Sequence, residues 1–77
     1  MNQLPPLELD VRPILAAGGS PLGRILNTVE RLQPGQSFKL LAPFEPAPLY
    51  QMLGNRGYTH TVRPREDGGF EITFDPT

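Results

Sequence analysis

The chain has 77 residues, ten of them proline and eight glycine, with no cysteine and a formal charge of −1. That length suits one small domain, which buries only about 60% of the surface its unfolded chain exposes. Without cysteine there is no disulfide, no thiolate metal ligand, no thiol nucleophile and no persulfide. The near-neutral charge, with Arg12, Arg24, Arg31, Arg56, Arg63 and Arg65 scattered along the chain, gives no electrostatic case for nucleic acid or an anionic membrane.

Met1 to Pro6 reads as a flexible arm. It lacks the basic start and apolar centre of a secretion signal, and no apolar run approaches the ~20 residues of a membrane span, so a cytoplasmic location is expected. Leu7 to Arg12 alternates apolar and polar, the period of a half-buried strand, and Pro13 is expected to end it. Ile14 to Gly19 reads as a connection closing on two glycines. Ser20 is a suitable N-cap and Pro21 a suitable first helical residue. Leu22, Ile25, Leu26, Val29 and Leu32 follow at helical spacing, so a helix is predicted over Pro21 to Gln33, stopped by Pro34-Gly35.

Ser37 to Ala42 is the length of a strand, and the helix before it predicts a parallel crossover to the first strand. The proline-rich stretch Pro43 to Pro48 leads into a second helix that begins near Pro46 to Pro48, buries Leu49, Met52 and Leu53, and stops at Asn55-Arg56-Gly57. Tyr58 to Glu66 alternates with Tyr58, His60 and Val62 on one face; Pro64 places this strand at an edge or marks its end. Asp67-Gly68-Gly69 predicts a turn, and Phe70 to Phe74 the last strand of a hairpin.

The order β-α-β-α-β-β implies an α+β fold, a two-layer α/β sandwich with two helices packed on one face of a four-stranded mixed sheet. The predicted core is Leu7, Leu9, Val11, Leu22, Ile25, Leu26, Val29, Leu32, Phe38, Leu40, Leu49, Leu53, Val62, Phe70, Ile72 and Phe74. A single domain is expected over residues 7–76.

These segments resemble the TusA/SirA-like sulfur-carrier proteins. Leu9-Asp10 is similar to the end of that family's first strand, and Ser20-Pro21-Leu22 to the tail of its Cys-Pro-x-Pro helix start. Leu32-Gln33-Pro34-Gly35 and the proline-containing start of the second helix also fit. The similarity is stronger to a bacterial branch of unknown function, on Leu9-Asp10-Val11-Arg12, Ser20-Pro21-Leu22 and Pro43-Phe44-Glu45-Pro46-Ala47-Pro48-Leu49-Tyr50. Two departures limit what carries over. Gly18 and Gly19 stand where the carrier cysteine and the following proline would be, so sulfur relay by this chain alone is excluded. Phe44 stands where relatives with His-Asp-Pro have histidine, so no role of that histidine transfers.

Candidate binding residues are Asp10, Arg12, Gly18, Gly19, Ser20, Pro21, Phe44, Glu45, Pro46 and His60. Gly18 to Pro21 reads either as an anion site of backbone N–H groups or as a tight turn with a helix cap. Asp10 and Arg12 read as a surface ion pair or as ligands for a polar group. Glu45 reads as a cap of the second helix or, with Phe44, as a partner-binding tip. His60, the only histidine, is too few for a metal site and is expected to hold a structural hydrogen bond. Glu66, Asp67 and Glu71 lack calcium-loop spacing.

No catalytic set, metal site or cofactor motif is present, since one histidine gives Ser20 and Ser37 no support as nucleophiles. The expected protein is a non-catalytic binding or adaptor module without sulfur-carrier activity, a monomer or weak homodimer docking a protein or a small anion. The alternatives are an accessory subunit of redox or sulfur metabolism using a partner's cofactor or cysteine, and, by fold analogy alone, an RNA-binding module.

Overall fold

The computed structural model describes residues 4–77; the expected arm therefore lies outside the described residues at Met1 to Gln3. The elements are β1 (Leu7–Asp10), α1 (Arg12–Ala16), α2 (Leu22–Glu30), β2 (Phe38–Ala42), α3 (Ala47–Gly54), β3 (Tyr58–Pro64) and β4 (Phe70–Pro76). One four-stranded sheet runs in the order β1-β2-β4-β3. β1 is parallel to β2, and β4 is antiparallel to both β2 and β3. The sheet is open and mixed, with helices on one face: the expected β-α-β-α-β-β sandwich plus one short extra helix.

The period-two alternation of the strands selects the face that is covered. Phe38, Leu40, Ala42, Ile72 and Phe74 point to the helices and are buried. The rings of Phe38 and Phe74 stack at 5.8 Å. Ile25 and Val29 of α2 and Leu49 and Leu53 of α3 close over them, joined by Val11 at the end of β1. Leu7, Leu9, Leu32, Val62 and Phe70 are only partly buried at the periphery of this core, and Leu26 is partly exposed on α2. Leu22, also predicted to be core, is 54% exposed. It is the first residue of α2.

Three local expectations change. Pro13 does not merely end β1; it sits in the first turn of α1, where its missing N–H costs nothing. Val11, predicted as strand, is the N-cap of that helix, and Arg12 is its first residue. Ser20 does not cap α2. Pro21 is the N-cap, no side chain caps the helix, and its carbonyl accepts from Ile25 N–H at 2.9 Å. At the other end α2 stops three residues before Gln33, as Arg31 and Leu32 N–H reach back three residues, to Thr28 and Val29, and tighten the last turn.

Gln36 is a buried polar residue that periodicity does not flag. Its side chain accepts from Gln33 N–H at 2.9 Å and donates to the Pro5 carbonyl at 2.8 Å. It thus ties the segment before β1 to the turn before β2.

Candidate functional site: an apolar cleft between two helix starts

Where α2 and α3 begin, the helical layer does not close. A cleft of about 180 Å³ opens above the C-terminal ends of β1 and β2. Val11, Leu40 and Ala42 form its floor; Pro21, Leu22 and Ile25 form the α2 wall. Phe44, Pro46 and Pro48, with Leu49 and Met52 behind them, form the α3 wall. Pro46 is the N-cap of α3 with φ −84° and ψ 71°, the centre of a tight turn in which Ala47 N–H donates to the Glu45 carbonyl at 3.0 Å, and Pro48 lies in the first turn of the helix. Phe44 is 48% exposed and shares the rim with Leu22.

Every residue lining the cleft is apolar, and none of their side chains can transfer a proton. Pro21, Phe44 and Pro46, predicted as site residues from distant parts of the chain, do meet here. Leu22, placed in the core by its spacing, is the wall residue that sequence reasoning misses.

Gly18 and Gly19 do something different. Gly18 has φ +84°, its N–H donates to the Leu15 carbonyl at 3.0 Å, and Gly19 N–H donates to the Ile14 carbonyl at 2.9 Å. This paired reach is the Schellman arrangement that terminates α1. The N–H groups of Gly18 and Gly19 are therefore already used. Ser20 is exposed in the link to α2.

Asp10 and Arg12 form the expected pair and extend it. Arg12 donates through Nε and NH2 to the two Asp10 carboxylate oxygens, both at 2.9 Å, and its backbone N–H donates to Asp10 Oδ1 at 3.0 Å. Arg12 NH1 donates to Asp67 Oδ2 at 2.7 Å. Asp67, in the turn between β3 and β4, also faces Arg65 Nε at 3.4 Å and accepts from Gly69 N–H at 3.4 Å. The Arg12 guanidinium holds both carboxyls below their usual range, and they in turn raise its own pKa. The cation is spoken for, so the pair acts as a strap between β1, α1 and the hairpin turn. Asp67 was read only as a turn residue; its partner is 55 positions away and has no signature in a single sequence.

His60 and Glu45 meet through Tyr50. The His60 imidazole lies flat on the Tyr50 ring, 3.9 Å apart and within 5° of parallel. No hydrogen bond of the His60 side chain occurs among the described residues; the ring is an exposed stacking partner instead of the expected hydrogen-bonded one. Glu45 does not cap α3. Its Oε1 accepts from the Tyr50 hydroxyl at 3.0 Å. Burial, and then this bond to Glu45, push the Tyr50 phenol up to about 12.

Among the described residues no group of three or more His, Cys, Asp or Glu is placed to hold a metal ion, and no helix is long and apolar enough to cross a membrane. No curated protein and no solved structure matches the chain. A family model described as "Uncharacterized conserved protein (DUF2249)" matches residues 8–76, which takes in every strand and helix above except Leu7, the first residue of β1. The chain therefore belongs to the DUF2249 family, an uncharacterised bacterial family of the TusA/SirA-like, sulfur-relay clan.

Proposed function

We propose that this domain is a non-catalytic docking module, and that the cleft between the starts of α2 and α3 receives an apolar side chain of a protein partner. The observation that carries this reading is the cleft's lining, apolar throughout, with Phe44 and Leu22 exposed at its rim. Large apolar side chains left in water around a concave apolar surface mark interaction sites in small soluble domains. The resemblance to sulfur carriers puts Gly18, at the position of their cysteine, just before the α2 wall. The chain has no thiol there or anywhere else. The N–H groups of Gly18 and Gly19 bond the end of α1, which favours the cleft over an anion held by those two groups.

The test uses the partner that co-purifies with the full chain from its native cell. Leu22→Asp and Phe44→Ser release it, while a control at exposed Asn27 retains it, and thermal melts show all three variants folded. Partner retention by both cleft variants overturns the reading.

A further inference from the structure

The far edge of β3 is a strand without a neighbour among the described residues. It runs for seven residues, where the opposite edge, β1, has four. The ladder shows which backbone groups point outwards. Thr77 N–H donates to the Gly57 carbonyl and Arg65 N–H to the Gly69 carbonyl, both at 2.8 Å. Antiparallel pairs alternate between hydrogen-bonded and non-hydrogen-bonded. With Thr59 opposite Asp75, Thr61 opposite Thr73 and Arg63 opposite Glu71, it is the odd-numbered residues that bond β4. Tyr58, His60 and Val62 thus turn both N–H and C=O to the open edge, and Pro64 its carbonyl. Such a row is a template for another strand.

We propose that this edge pairs with the same edge of a second copy of this chain, antiparallel, about a two-fold axis through Thr61. The register that overlaps the whole of Tyr58–Pro64 sets Tyr58 opposite Pro64 and His60 opposite Val62, so outward-facing groups meet outward-facing groups. Pro64, which lacks a donor, falls at the end of the pairing, where its loss matters least. On the sheet face away from the helices, Thr61 meets Thr61 of the partner subunit, and Arg63 meets Thr59 of the partner subunit. Arg63, 79% exposed, already faces Glu71 at 3.9 Å. Across the join its next charged neighbour is Asp75 of the partner subunit, because Asp75 is paired with Thr59 within each copy. The cation then lies between two carboxylates, and no like charges face each other directly.

The chain's lack of cysteine makes the test clean. In a non-hydrogen-bonded antiparallel pair the Cα atoms are about 4.5 Å apart, within disulfide range. Thr61→Cys puts the only thiol on the axis. Thr59→Cys puts it four positions out of register, about 13 Å from its mate at ~3.3 Å per residue, beyond that range. Mild oxidation of the full chain is expected to link Thr61→Cys into dimers about tenfold faster than Thr59→Cys. Sedimentation of the unmodified chain is expected to show a concentration-dependent dimer, abolished in Thr61→Lys with its circular dichroism unchanged and its Tm equal to that of the unmodified chain at concentrations where the latter is monomeric. Equal cross-linking of the two cysteine variants overturns the proposal, as does an unmodified chain that sediments as a monomer at every concentration.

Discussion

Arg12 links three elements through a single side chain. Its guanidinium bonds Asp10 on β1 and Asp67 in the hairpin turn, and its backbone opens α1. The packing there is close as well. A Cβ on Gly69 would stand 3.0 Å from the Ala42 carbonyl and 3.5 Å from Arg12 Cδ. The hairpin turn therefore rests on β2 and on Arg12, with its backbone bare at the point of contact. Both carboxyls have folded pKa values lowered by Arg12, so their contribution is present above the unfolded value of 3.8 and is lost as pH falls through the folded values. Asp67→Asn is expected to lower Tm at neutral pH. The gap to the unmodified chain should close on acidification below about pH 4, the range of an ordinary carboxyl. Thermal melts from pH 2 to pH 7 check this. A gap that stays constant with pH would mean that Asp67 acts by shape and not by charge.

At the scale of elements, the parts that emerge from sequence are those with enough repeats to show a period. β1, β2, β4 and α2 each bury one face, and their alternating or helical spacing is visible in Leu7-Leu9, Phe38-Leu40, Ile72-Phe74 and Ile25-Val29. α1 has five residues, too few for periodicity, and it buries none of them fully. Its only local signs are Pro13 in its first turn and the glycines behind it, and these read equally well as a strand end and a loop. Half of the cleft is legible for the same reason. The proline-rich stretch around Phe44 is conspicuous, whereas Leu22 satisfies the helix period and yet is exposed, because it faces the open cleft. The glycines allow a test of the α1 assignment. Gly18→Ala forces a side chain into φ +84° and is expected to cost roughly 1–2 kcal/mol. Gly23→Ala, inside α2 with open space around the added carbon, is expected to stabilise by roughly 0.5–1 kcal/mol. Urea denaturation of both variants measures the opposite signs. A neutral Gly18→Ala would remove the Schellman stop, and with it the reason for discounting an anion at that loop.

The whole molecule has little stability to spend on surfaces that do not serve it. At about 0.05–0.15 kcal/mol per residue, a chain of this size is stable by about 4–12 kcal/mol. The two phenylalanines at its centre, Phe38 and Phe74, are 0% and 1% exposed and stack on each other. Phe38→Ala removes one ring and leaves a cavity beneath both helices, a change that costs about 3–5 kcal/mol in well-packed cores. This is a large share of the total, so Phe38→Ala is expected to lower the urea midpoint steeply, by far more than any surface substitution. Leu22→Ala removes a side chain that spacing alone would place in the same core. At 54% exposure it is expected to change stability by no more than about 0.5 kcal/mol. Parallel denaturation of the two variants decides whether Leu22 serves folding or the cleft. If Leu22→Ala is as damaging as a core truncation, the cleft is a shallow dent in the core and its rim is not free to bind. If it is silent in stability yet releases the partner, the large apolar side chain at the start of α2 belongs to recognition.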